Sequence, residues 1–184
     1  MTNHVHLLAT PRTAAGAGQM MKRLGQRYVQ YINRNYRRSG TLWEGRFQSC
    51  LTQEEDHLLG CYRYIELNPV RANMVEHLAE YPWSSYAANA QGEPSRIVEL
   101  HPLYSALGPD ESTRQFRYRE LFRFELDPGL VDEIRAATNG NYALGSSAFQ
   151  AQVANALARG VTRGKSGRPS KRGEVSSQDL FERK

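Results

Sequence analysis

The sequence predicts an α+β fold, and three observations predict it. A short β-prone run, His4 to Thr10 (H-V-H-L-L-A-T), is closed by Pro11. Two long helical patterns then flank an aromatic-rich segment, Thr41 to Leu51, and three further helical patterns follow in the second half of the chain. Helices and short strands mixed in this way bury their apolar faces by packing helices against a small sheet.

Taken in order, His4 to Thr10 reads as a strand. Ala14 to Arg38 places Met20, Met21, Leu24, Tyr28, Tyr31 and Ile32 at helical spacing, with Arg23, Arg27, Arg34, Arg37 and Arg38 mostly on other faces, which predicts an amphipathic basic helix. Ser39-Gly40 ends it, since glycine tolerates the left-handed backbone common just past a helix. Thr41 to Leu51 predicts a strand or two, with Gly45 at a bulge or bend. Thr52-Gln-Glu-Glu55 fits a capping box, so a second helix is expected to start there and to run through His57, Cys61, Tyr64 and Asn68 on one stripe and Leu58, Tyr62 and Ile65 on another, until Pro69 stops it. Val70 to Tyr86 holds a short helix or turn and a loop with aromatic anchors, and residues 89–112 read as loop. Helices are expected at Ser112–Glu125, Pro128–Asn139 and Ser146–Arg159. Arg163 to Lys184 is polar, rich in Gly and Lys/Arg, and expected to be disordered in isolation.

A chain of 184 residues, 40% hydrophobic, can bury one real core with a smaller appendage. No apolar run approaches the ~18 residues of a membrane span, and the start has neither the basic nor the apolar region of a secretion signal. A cytoplasmic protein with no membrane partner is expected. Cys50 and Cys61 lack the number and spacing of a disulfide scaffold or zinc knuckle and read as buried thiols. Net charge is +5, but unevenly spread: residues 1–50 hold eight basic residues against Glu44, residues 51–134 carry −8, and residues 135–184 carry +6. Arginine clusters at both ends of an acidic middle point to a polyanion, nucleic acid first, with ordinary solvated helix faces as the plain alternative.

Two histidines one residue apart on a strand face the same way, so His4 and His6 can share a metal. Tyr64 and Asn68, at i and i+4, project from one face of their helix. If that helix crosses the strand, the two imidazoles and the Asn68 oxygen can hold a divalent cation beside the Tyr64 hydroxyl. Singly, each residue has a duller explanation: core tyrosine, helix-ending asparagine, chance histidine pair.

Four segments set the context: T-N-H-V-H-L-L (Thr2 to Leu8), Y-I-N-R-N-Y-R-R-S-G-T-L-W-E-G-R-F-Q-S (Tyr31 to Ser49), Y-R-Y-I-E-L-N-P-V-R-A (Tyr62 to Ala72) and Y-P-W-S-S-Y (Tyr81 to Tyr86). In this order they resemble the REP-associated tyrosine transposases of the HUH single-strand group. The resemblance implies a ferredoxin-like HUH domain over residues 1–90, an antiparallel sheet with helices on one face, then a helical unit over 112–160 and a basic tail over 161–184. It implies that His4, His6 and Asn68 bind Mg²⁺ or Mn²⁺ and that Tyr64 is the nucleophile, Tyr62 lying on a different face from Asn68. A phenol of pKa ~10 needs help to attack at neutral pH, and a cation that polarises the phosphate supplies part of it. The implied reaction cleaves and rejoins single-stranded DNA beside a hairpin through a 5′-phosphotyrosine, as in DNA transposition.

Arg23, Arg27, Arg34, Arg37, Arg38 and Arg46 would track the DNA backbone, and Trp43 or Phe47 would stack on an unpaired base, although Trp43 fits a core position equally well. The tail from Lys165 to Arg172 resembles a minor-groove hook, or is a plain solvated tail. A homodimer in which Tyr64 serves its own metal site or a partner's stays open, as does association with the nucleoid. The resemblance also implies a strand, a helix and further strand ahead of the His pair, which here begins at the fourth residue. A domain shortened at its amino terminus is expected, with a frayed metal site and either weak cleavage or DNA binding alone.

Overall fold

The computed structural model describes residues 3–163. Seven helices and two short strands are found among them: α1 (Gly16–Asn35), β1 (Leu51–Thr52), α2 (Glu54–Arg71), α3 (Tyr86–Gln91), α4 (Pro102–Ser105), α5 (Glu111–Glu120), α6 (Pro128–Gly140), β2 (Ala143–Leu144) and α7 (Ser147–Leu157), with one 3-10 turn at Leu78–Glu80. The mixed α+β class holds, with helix dominant.

The sheet differs from the expected one. Among the described residues it has two strands, and they run parallel, Leu51 opposite Ala143 and Thr52 opposite Leu144. His4 to Thr10 forms no strand, because it finds no ladder partner there and leaves Val5 and Leu7 exposed. β-propensity alone does not fix a strand whose backbone groups have nothing to pair with. Thr41 to Gln48 is likewise irregular, and only the end of that segment enters the sheet.

α2 is the central element. Its start is not the expected capping box: Gln53 is the N-cap and makes no side-chain cap bond. Thr52 is committed to the ladder instead, and Gln53 Oε1 accepts from the Ser146 amide at 2.8 Å. Nor does Pro69 stop the helix, which continues to Arg71. A proline this close to a helix end forfeits one backbone bond, and the last turn closes regardless through Ala72 N–H to Asn68 O and Met74 N–H to Pro69 O.

Two clusters sandwich α2. Cys61 and Tyr64 pack with Leu126, Ile134, Ala137 and Leu144 on one side. On the other, Tyr62, Leu67 and Val70 back a cluster of Leu78, Tyr86, Ala90, Tyr104 and Tyr118. Each large side chain so buried contributes ~1.5–3 kcal/mol before entropy is charged. Both clusters join residues of the 1–90 range to residues beyond 100. The helices of the second half start on real caps, with Asp110, Asp127 and Ser146 accepting from the amides of Thr113, Gly129 and Phe149.

α1 stands apart. It buries no residue, and among the described residues it makes only glancing contact with other elements. Of the expected tail, Val161 belongs to the packed body, buried with Ala143 and Val153 and accepting the Ala143 amide; residues 164–184, including the hook-like run, lie outside the described residues.

Candidate functional site

The 61-64-68 stripe of α2 faces its first cluster, which leaves Tyr64 and Asn68 buried and one turn apart. The leading segment comes to the same place. His6 stands edge-on to the Tyr64 ring, centroids 5.6 Å apart and planes at 78°. His4 stands edge-on to His6 in turn, at 4.9 Å and 87°. Coil thus brings the two imidazoles and the phenol into file without the expected strand.

Hydrogen bonding prepares the pair. His4 Nδ1 lies 2.7 Å from Asn3 Oδ1, an acceptor, so an Nδ1–H donates to it. The pKa of His6 is lowered, first by burial and then by the positive neighbours, His4 before Arg71. A neutral imidazole is the form that ligates metal. Two imidazoles sharing one ion would put their ring centres about 4.5–5.2 Å apart for a metal–nitrogen bond of ~2.1 Å. The 4.9 Å separation of His4 and His6 fits.

Asn68 has another partner. Its Oδ1 accepts a short hydrogen bond from Arg71 Nη2, while its Nδ2 is buried without a partner. The same Nη2 reaches the Tyr64 carbonyl at 3.3 Å, and the guanidinium lies 4.6 Å from the centre of the Tyr64 ring. The Asn68 oxygen therefore faces a guanidinium in this conformation. One lone pair on Oδ1 remains, but a second cation there would meet Arg71 as a like charge. Among the described residues no group of three His, Cys, Asp or Glu could hold an ion.

Sequence reasoning missed Arg71. Its spacing, three after Asn68 and seven after Tyr64, puts it on the same stripe and was sufficient to find it. Tyr62 points away from this site, edge-on to Tyr118 at 6.2 Å in the other cluster.

The residues expected to contact DNA lie on α1 and the loop after it. Arg23, Arg27, Arg34, Arg37, Arg38 and Arg46 are all exposed, and among the described residues none pairs with a carboxylate. Trp43 is exposed although its ring lies 5.7 Å from that of Tyr28, and Phe47 is exposed to a similar degree. No helix of the described residues is long and apolar enough to cross a membrane. Compared with known proteins, the chain matches no family model, no curated protein and no solved structure.

Proposed function

We propose that the chain is a metal-dependent tyrosine transposase of the HUH type with a ferredoxin-like ancestry, acting in the cytoplasm on single-stranded, hairpin-flanking DNA. The observation that carries this reading is the contact of His6 with the Tyr64 ring, with His4 next in line. Residues 58 positions apart in sequence meet as an imidazole pair and a phenol, the groups a phosphotyrosine mechanism needs. The ordered resemblance of four segments supports it independently.

In this reading the Tyr64 oxygen gives up its proton and attacks the scissile phosphorus, the bond to the 3′ oxygen breaks, and the products are a 5′-phosphotyrosine and a strand ending in a free 3′-hydroxyl, which takes up a proton. Arg71, beside its ring, meets the phosphate oxygens as charge grows on them, which is a guanidinium's natural task. His4 and His6 would hold Mg²⁺ or Mn²⁺, with Asn68 Oδ1 as a third donor, and the cation would polarise the phosphate. Arg23, Arg27, Arg34, Arg37, Arg38 and Arg46 neutralise the flanking backbone.

Incubation with hairpin-bearing single-stranded DNA and Mn²⁺ tests it: a protein–DNA adduct that survives denaturing electrophoresis is expected, absent in Tyr64→Phe and strongly reduced in His6→Ala. An adduct that persists in Tyr64→Phe refutes the assignment. One observation favours a second reading, a DNA-binding remnant without cleavage: Tyr64 is only 7% exposed and the Asn68 oxygen is engaged by Arg71. That form binds DNA with steep salt dependence and is indifferent to Tyr64→Phe and His4→Ala.

A further inference from the structure

The loop after α1 folds back on the helix. Gly40 makes the reversal at φ +90°, a left-handed backbone that disfavours any side chain, and its carbonyl accepts from Asn33 Nδ2 at 2.9 Å. Thr41 Oγ1 then receives the Trp43 amide at 3.0 Å. The Trp43 ring comes to rest against Tyr28 and over Gly25, where an added Cβ would lie 3.4 Å from the indole nitrogen. Between loop and helix a cleft of about 340 Å³ opens, lined by Gly25, Gln26, Val29, Gln30, Thr41 and Trp43, within the range of small-molecule sites.

The lining names an occupant. Trp43 offers an indole face, and Gln26 and Gln30, one turn apart, bring two amides that no described residue engages. At about 100° per residue, Arg23, Arg27 and Arg34 share a single stripe directly beside Gln30. Phosphates held on that stripe would leave the attached base next to the cleft. A glutamine amide pairs, acceptor and donor together, with the amino and ring nitrogens on one edge of adenine. Thymine can meet an amide through N3–H and O4, but its single ring covers less of the indole, so stacking favours the purine.

We propose that this cleft is a base-reading slot for one unpaired purine of a single strand, adenine in preference to thymine, with Trp43 as the stacking platform and Gln26 and Gln30 as the edge readers. The proposal rests on the nucleic-acid reading above. It adds a site of sequence discrimination remote in sequence from Tyr64.

The chain has two tryptophans, and Trp83 is almost fully exposed, so Trp83→Phe leaves Trp43 as the sole emitter. The probe is a single-stranded oligomer of abasic residues carrying one adenine, one thymine or no base. Expected is quenching of Trp43 by the adenine strand and an affinity about 5- to 150-fold above the baseless strand, the equivalent of ~1–3 kcal/mol for one stacked base. Thymine should fall between the two. Gly25→Leu, which fills the cleft with a better helix former, and Trp43→Leu should each erase the difference between strands while keeping salt-dependent binding to all three. Equal affinity of the unaltered protein for adenine and baseless strands overturns the slot but leaves the transposase reading intact. Discrimination that survives Gly25→Leu, with helix content confirmed by circular dichroism, overturns it too. A Trp43 emission that is already blue-shifted without DNA and changes with protein concentration would mean that a second copy fills the cleft, and no base does. Failure of every strand to bind removes both proposals together.

Discussion

Glu66 is the buried carboxyl most exposed to test. It is 1% accessible, deep between α2 and the tyrosine cluster, with Oε1 accepting from Ser85 Oγ at 2.6 Å and Asn89 Nδ2 at 3.2 Å. The buried Tyr118 hydroxyl lies close enough to act on this carboxyl, although neither it nor Glu66 Oε2 completes a well-formed hydrogen bond. Burial outweighs the hydrogen bonds and raises the carboxyl from its ordinary 4.5 to about 7. Because the folded pKa is the higher one, the folded chain keeps a proton between about pH 4.5 and 7 that the unfolded chain has lost. Stability from this group is therefore greatest at low pH and drains away as pH rises through 7. Between pH 5 and pH 8 the loss amounts to about 2.5 kcal/mol. Glu66→Gln cannot ionise. Its oxygen can still accept from Ser85 and Asn89, and its new amide can donate to the neighbouring Tyr118 hydroxyl. Urea unfolding of both proteins at pH 5 and pH 8 isolates the effect: the variant should gain about 1 M in midpoint relative to the parent on going from the lower pH to the higher, for a slope of roughly 2 kcal/mol per M. Midpoints that run parallel across that range refute the reasoning.

Gly145→Ala should destabilise by about 1–3 kcal/mol in thermal or urea unfolding, since the new methyl would lie 2.7 Å from Gln53 and from the Phe149 ring, whereas Gly160→Ala, with nothing within 4 Å, serves as a near-neutral control. Ser146→Ala removes the hydroxyl that accepts the Phe149 amide at the start of α7 and should cost about 1 kcal/mol, read as a lower urea midpoint at unchanged slope. Arg71→Ala frees the Asn68 oxygen and lifts a like charge from the imidazole pair; Mn²⁺ should then broaden the His4 and His6 ring resonances at lower concentration than in the parent protein, and an unchanged titration would sink Asn68 as a ligand.

How much of this was legible in the sequence depends on how local each cause is. Periodicity and caps are local, so α1 and the three late helices emerged with starts within two residues of those observed, whereas α1 ends at Asn35 and α5 at Glu120, three and five residues short of the expected ends. Contacts between distant residues are not. Leu51 and Thr52 become a strand only because Ala143 and Leu144 are placed beside them, and nothing within ten residues of either pair announces the other. His4 to Thr10 had a strand's composition but no neighbour to make it one. Thr52 was read as a cap because its spacing from Glu55 fits, but the ladder claimed it first. At the site, the alignment of Tyr64 with Asn68 followed from helix pitch, and the approach of His6 was expected from family likeness alone. Arg71's place on that stripe was readable from its spacing, whereas its bond to Asn68 and the burial of Glu66 depend on rotamers and packing that no spacing encodes. The cleft beside Trp43 depends on a reversal at Gly40 that sequence reading had credited only with ending a helix.

The parallel pair formed by Leu51-Thr52 and Ala143-Leu144 has a consequence for biogenesis. It clasps the two edges of the packed body through backbone bonds, among them Gln53 N–H to Leu144 O at 2.8 Å and Ser49 N–H to the Asn141 side chain at 3.0 Å. At ~5–20 residues per second of synthesis, β1 waits roughly 5–20 s before its partner exists. Through that interval α2 has one flank bare, since Leu126, Ile134, Ala137 and Leu144 have yet to arrive, and the nascent chain holds Cys61 and Tyr64 uncovered. A chain released before residue 144 would lack the closing strand and keep that apolar flank open, a natural target for chaperones and proteases.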